Sequence, residues 1–142
     1  MANKKLMLAY DGSEHSQRAL DWALDLNAQL LYELEIVTVI PPFPSLFADF
    51  PTDTYALMEV NRKNGQTMLE KAAAHCQERG QTATTALLEG HIVDTLIEHA
   101  TEGGFTFLIS GTRGAGGFEG LLLGSVAHKL VTYSPIPVLI VK

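Results

Sequence analysis

The chain has 142 residues, 46% of them hydrophobic, and its 10 basic and 16 acidic side chains give a net charge of −6. We expect one globular domain over residues 1–142 with a core of its own. The acidic balance argues against nucleic acid as a partner. A single cysteine, Cys76, excludes an internal disulfide. Every apolar run is too short for a membrane span, and the one at the amino terminus is too short for a signal peptide, which predicts a soluble cytoplasmic protein without a membrane partner.

Strands and helices alternate in the first part of the chain. The apolar run Leu6–Tyr10 predicts the first strand, which is buried on both faces and ends in a turn. Ser13 is placed to cap the first helix, which extends to Leu30. The β-branched stretch Leu34–Ile40 predicts the second strand.

The segment Pro41–Pro51 follows, with four prolines and three phenylalanines. It is too irregular for a regular element and too apolar for a solvated linker. We expect it to fold back, either as a lid over a ligand or as a cover for hydrophobic surface in an oligomer.

A long second helix is predicted from about Asp53 to Arg79, and Gly80 is placed to end it in a left-handed cap. The residues that keep helical spacing along it are Leu57, Val60, Met68, Leu69, Ala72, Ala73 and Cys76.

The remaining elements follow the same alternation. They are a strand over Thr82–Leu88, a helix over Ile92–Ala100 stopped by Gly103 and Gly104, a strand over Phe105–Ser110, a helix from about Ser125 to before Pro135, and a last strand over Val138–Val141. The last helix should bury Val126, Leu130 and Val131. Alternating strands and helices, with strands that lack polar alternation, predict an α/β fold whose parallel sheet is covered on both faces. In such sheets ligands bind beyond the carboxyl ends of the strands, where the strand order reverses.

The strongest functional signal is a glycine-rich stretch between the fourth strand and the fourth helix. Gly111 and Gly114 are followed after nine residues by Gly124 and Ser125. Glycines there let main-chain N–H groups turn inward, and the helix start adds unpaired donors, so the pattern predicts a phosphate site. A purely structural loop is the alternative. The stretch is not a Walker A loop, because Gly117 stands where lysine is needed.

These residues resemble the universal stress protein family, in particular its ATP-binding branch with the pattern Gly-2x-Gly-9x-Gly-Ser/Thr. The similarity runs along the whole chain, through Tyr10–Ser13, Val37–Ile40, Glu89-Gly90, Leu121–Val126 and Pro135–Val141. The resemblance implies a three-layer sandwich, similar to adenine nucleotide alpha hydrolases, with four helices and five parallel strands in the order 3-2-1-4-5. The chain departs from many members of this family at Phe105-Thr106, where those proteins have an acidic residue.

The resemblance also implies ATP as the ligand, with its phosphates on Gly111, Gly114, Gly124 and Ser125. Four further residues are placed in the nucleotide site: Asp11, Val39, Arg113 and Val126. Asp11 would contact the ribose and phosphates or hold Mg²⁺, the alternative being a local turn. Val39 would meet the adenine through its main chain, the alternative being ordinary core. Arg113 would reach a phosphate, although a solvated arginine is commoner, and Val126 would contribute main-chain groups or packing.

No catalytic residue is assigned, because the sequence has neither a Gly-x-Ser-x-Gly elbow nor a His-Glu-x-x-His zinc motif. His128 is interpreted as a surface residue. We expect a nucleotide-dependent sensor or regulator of the stress response, with an unknown protein partner and slow ATP hydrolysis at most. The alternatives are an interaction module that binds no nucleotide, and a weak ATPase or phosphotransfer enzyme. The short apolar edge strand Val138–Val141 is where the family resemblance implies a homodimer, the alternative being an edge strand that the nearby prolines protect.

Overall fold

The computed structural model of the protein describes residues 3–43, 51–113 and 123–142. Its elements are β1 (Lys5–Ala9), α1 (Glu14–Leu30), β2 (Glu33–Ile40), α2 (Pro51–Glu78), β3 (Ala83–Glu89), α3 (Ile92–Glu102), β4 (Phe107–Gly111), α4 (Ser125–Tyr133) and β5 (Val138–Val141). The strands form one parallel sheet in the order β3-β2-β1-β4-β5. The predicted fold is therefore confirmed, whereas most of the segment Pro41–Pro51 and Gly114 lie outside the described residues.

Two apolar layers cover the sheet, one on each face. Leu6 and Leu8 of β1 belong to the layer that includes buried residues of α1 and α2, while Met7 belongs to the layer of α3 and α4. All three side chains are fully buried. Alternating side chains of a strand point to opposite faces, so a strand covered on both sides is apolar throughout, as the sequence of β1 indicates.

Helix ends follow the glycine signals. Gly80 has a φ of 75°, and the N–H groups of Gly80 and Gln81 reach the carbonyls of Gln77 and Cys76 at the end of α2. The same arrangement ends α3, where Gly104 has a φ of 67° and the N–H of Phe105 reaches the carbonyl of Ala100. Phe105 is thus the residue that closes the helix end, and it is buried in the core.

Several predicted boundaries and faces are wrong. The fourth strand begins at Phe107 instead of Phe105, because Phe105 and the glycines before it complete the cap of α3. Leu57 and Val60 are exposed, since the buried positions of α2 begin at Gly65. Val131 is exposed as well, and α4 buries Ala127 together with Leu130.

Gly65 explains where α2 begins to lie against the sheet. A Cβ atom at this position would lie 2.8 Å from Cδ1 of Leu87 in β3. The helix therefore approaches the strand closely at a residue without a side chain. None of the helices in the described ranges is long and apolar enough to cross a membrane.

Candidate functional site

A pocket of about 240 Å³ opens at the carboxyl ends of β1, β2 and β4. The strand order reverses between β1 and β4, so the pocket lies at the switch point of the sheet. One wall is apolar and contains Ala9, Val37, Val39, Ile92 and Leu96. The opposite wall contains the end of β4 and the start of α4.

The main chain of Val39 faces the pocket past the end of β1. Tyr10 donates its N–H to the carbonyl of Val37 at 2.9 Å, and Gly90 donates to the carbonyl of Ile40 at 3.0 Å. Because backbone groups alternate between the two sides of a strand, those of Val39 point to the β1 side. The β1–β2 register ends at Ala9 and Val37, and no described residue pairs with the N–H or carbonyl of Val39 there. One donor and one acceptor therefore stand side by side at the pocket.

The start of α4 supplies donors to the other wall. Gly124 is the N-cap and no side chain caps the helix. The first bond within the helix runs from the N–H of His128 to the carbonyl of Gly124 at 2.9 Å. The N–H groups of Ser125, Val126 and Ala127 precede this bond, and all three residues line the pocket. Such a helix start carries partial positive charge and favours an anion. Ser125 is the first residue of α4, in agreement with the predicted start of this helix.

The turn between β1 and α1 lies beside the pocket, which Asp11 and Ser16 line. Oδ1 of Asp11 accepts the N–H of Ser13 at 3.0 Å, which is the local turn that the sequence left as an alternative. Gly12 in this turn has a φ of 80°, a value that glycine adopts readily. Ser13 caps α1 as predicted, accepting the N–H of Ser16 at 3.2 Å. Asp11 is exposed and lines the pocket, so its place there is compatible with the turn.

Both described glycines of the motif are packed against backbone. A Cβ atom at Gly111 would lie 2.8 Å from the carbonyl oxygen of His15 in the first turn of α1. At Gly124 it would lie 3.2 Å from Cα and Cγ of Arg113. The N–H of Gly124 also donates to the carbonyl of Thr112 at 2.7 Å. These two glycines thus bring α1, β4 and α4 together around the pocket.

The described residues that the sequence placed in the site all line this one pocket: Asp11, Val39, Gly111, Arg113, Gly124, Ser125 and Val126. Gly114 lies outside the described residues. Sequence reasoning missed Ser16, Ile92, Leu96 and Ser110, which also line it. Ile92 and Leu96 could have been assigned to the site from sequence, because they are on one face of a helix that starts beyond the end of a strand. Ser16 and Ser110 carried none.

The charged side chains among the lining residues are Asp11 and Arg113, one of each sign. Tyr10 also lines the pocket, and its pKa is raised by burial and by the nearby carboxylate of Asp11, so the phenol stays neutral at physiological pH. Within the described ranges no three His, Cys, Asp or Glu side chains are grouped to hold a metal ion. His128 is exposed, as expected.

Comparison with known proteins points to one family. The profile of the Universal stress protein family matches residues 2–142. The universal stress protein YxiE of Bacillus subtilis is 33% identical, over 97% of this chain and 98% of its own length. A universal stress protein solved in complex with cAMP is 27% identical with a TM-score of 0.73, covering 99% of this chain and 98% of its own. A universal stress protein of Archaeoglobus fulgidus in complex with dAMP is 18% identical with a TM-score of 0.75 and complete coverage of both chains, a likeness of fold alone.

Proposed function

The chain belongs to the universal stress protein family, and from this premise we propose that its pocket binds an adenine nucleotide and that the protein is a nucleotide-dependent sensor or regulator of the stress response. ATP is the proposed ligand, because the sequence carries the glycine pattern of the ATP-binding branch at Gly111, Gly114, Gly124 and Ser125. The cAMP complex of a universal stress protein that is 27% identical to this chain supports an adenine nucleotide.

One observation supports the proposal: the main chain of Val39 and the amino-terminal end of α4 line the same pocket. The main chain of Val39 offers an N–H donor beside a carbonyl acceptor. Adenine presents the complementary pair on its Watson–Crick edge, the N1 acceptor beside the N6 amino donor. Guanine presents a donor and an acceptor in the reverse order, so the same edge rejects it. Ala9, Ile92 and Leu96 supply apolar surface for the ring.

The phosphates are proposed to lie at the start of α4 and on the glycine loop. The N–H groups of Ser125, Val126 and Ala127 at the helix start and the guanidinium of Arg113 supply positive charge to the described pocket. Asp11 is proposed to contact the ribose or to hold the Mg²⁺ that accompanies ATP, since Mg²⁺ usually takes one or two carboxylates besides phosphate oxygens.

The proposed role is binding without fast turnover. Phosphoryl transfer needs a metal, a residue that positions the attacking group and a cation on the transferring phosphate. Asp11 and Arg113 are the charged groups of the described pocket, and one carboxylate does not fill both of the first two roles. Phosphate release under multiple turnover checks this point. Turnover faster than about one per second, within the usual range of enzymes, would contradict it.

The phosphate site is tested by adding one methyl group at the start of α4. Gly124→Ala places a Cβ 3.2 Å from Cα of Arg113, so Arg113 and the start of α4 must separate by a few tenths of an ångström. Gly80→Ala is the control for a general loss of stability, because it also replaces one glycine and strains the chain through its φ of 75°, but lies at the end of α2 and meets no atom within 4 Å. Calorimetric titration with ATP, with and without Mg²⁺, should show at least tenfold weaker binding to Gly124→Ala. Equal affinity in both variants would contradict the assigned phosphate site.

We also propose a homodimer through the outer edge of β5. The carbonyl of Pro137 accepts a bond from Leu108 of β4, and that of Val141 accepts one from Thr112, which follows β4. The backbone groups of Val138 and Ile140 therefore point outward from the sheet. Leu139 is 40% exposed beside this edge. Pairing with the same strand of a second copy would satisfy the outward groups.

Ile140→Pro tests this edge, because proline removes an outward N–H and leaves the bonds to β4 in place. Ile140→Val keeps the N–H and is the control. Light scattering after size-exclusion chromatography should give a dimer for the wild type and the control, and a monomer for the proline variant. A dimer in all three would exclude β5 as the interface.

A further inference from the structure

Thr38 is a buried polar residue of β2 that the pocket itself does not include. The residue is 6% exposed, and Oγ1 donates to the carbonyl of Tyr10 at 2.7 Å. Tyr10 directly follows the last residue of β1. The hydroxyl thus bonds to the main chain at the point where pairing between β1 and β2 stops.

The carbonyl of Tyr10 is the acceptor that Val39 would use if the pairing continued. In a parallel ladder a residue donates its N–H to one partner residue and accepts, through its carbonyl, from the residue two positions further along. Tyr10 donates to Val37, so the next bond would run from the N–H of Val39 to the carbonyl of Tyr10. That bond is not formed, and the carbonyl accepts the hydroxyl of Thr38 instead.

We propose that Thr38 is a positioning residue for the nucleotide base: its hydroxyl occupies the Tyr10 carbonyl and thereby keeps the N–H of Val39 open to the pocket. This inference rests on the proposed binding of an adenine nucleotide. It adds that recognition of the base depends on a side chain of β2 that does not contact the ligand. The Tyr10 carbonyl lies in a part-buried hydrogen bond, so removal of the hydroxyl leaves this acceptor without its partner and favours the alternative bond from Val39.

Amide hydrogen exchange in the protein without nucleotide tests whether the Thr38 hydroxyl keeps the N–H of Val39 open, independently of ligand binding. Thr38→Val keeps the shape of the side chain and removes the hydroxyl, and Thr38→Ser keeps the hydroxyl. The Val39 amide should exchange at least tenfold more slowly in Thr38→Val than in the wild type, and at an unchanged rate in Thr38→Ser. Should the valine variant fail to fold, Thr38→Ala also removes the hydroxyl and replaces it in the experiment. An unchanged Val39 rate in the variant without the hydroxyl would overturn the proposal.

Ligand discrimination gives the second readout. ATP and 1-deaza-ATP differ in the base nitrogen that accepts from Val39. The wild type and Thr38→Ser should prefer ATP by about tenfold, the upper part of what one hydrogen bond contributes. Thr38→Val should bind ATP about tenfold more weakly and lose the preference, whereas a merely structural defect would weaken both ligands and preserve their ratio. That preserved ratio would overturn the proposal. Failure of the wild type to bind either ligand would refute the proposed function, while the exchange experiment would still decide the bond made by Thr38.

Discussion

Gly111 is the first glycine of the motif, and the structure gives it a packing role that can be separated from ligand binding. We predict that Gly111→Ala lowers the free energy of unfolding by about 2 kcal/mol, in the usual range for overpacking a well-packed site. The new Cβ would lie 2.8 Å from the carbonyl oxygen of His15, 2.9 Å from its carbonyl carbon and 3.0 Å from its Cβ. Normal contacts between such atoms are about 3.5 Å or longer, so relieving the 2.8 Å contact moves α1 by roughly 0.7 Å.

Urea denaturation measures this change as a lower midpoint at an unchanged slope. In thermal unfolding the same loss corresponds to a shift of about 6 to 8 °C for a chain of this size. The contact is with backbone and Cβ atoms that alanine also has, so shortening the side chain of His15 cannot relieve it. A double-mutant cycle of Gly111→Ala with His15→Ala should therefore give a coupling energy close to zero. Unchanged stability of Gly111→Ala, or its rescue by His15→Ala, would refute this reasoning.

Two further predictions concern stability and the thiol. Leu31 ends α1 with a φ of 57° and is 83% exposed. Leu31→Gly should raise the free energy of unfolding, measured by urea denaturation, by about 1 kcal/mol, because glycine adopts this conformation without strain. Equal or lower stability of the variant would contradict this prediction. Burial raises the pKa of the Cys76 thiol, so the unfolded chain loses this proton first, and stability should fall as the pH rises above about 8.5. Cys76→Ala should remove that part of the slope between pH 8 and 10, and a slope that is unchanged in this variant would exclude Cys76 as its source.

The fold was largely predictable because the central strand β1 is apolar on both faces and strands alternate with helices that carry clear start and stop signals. Gly80 and Gly104 mark helix ends by their left-handed conformation. The error at Phe105 arose because an aromatic residue fits a strand and a helix cap equally well, and only the bond to Ala100 distinguishes the two. The exposed Leu57 and Val60 show the same limit, since helical spacing does not reveal where along its length a helix meets the sheet.

The candidate site was predictable where glycines or the ends of strands indicate a binding site, as at Gly124 and Asp11. The residue that caps α4 could not be predicted, because glycine and serine are both acceptable at the N-cap of a helix. The choice between Gly124 and Ser125 depends on where the chain enters α4. Thr38 could not have been found from sequence. A threonine in a strand is ordinary, and its role depends on the ladder between β1 and β2 stopping beside it.

Binding of an adenine base and phosphate in one pocket is the central claim, and calorimetric titration of nucleotide-free protein with ATP and with GTP tests it most directly. The structure predicts saturable binding of ATP and at least tenfold weaker binding of GTP, because Val39 offers a donor and an acceptor in the order that adenine requires. No heat of binding with ATP, or equal affinity for both nucleotides, would contradict the claim.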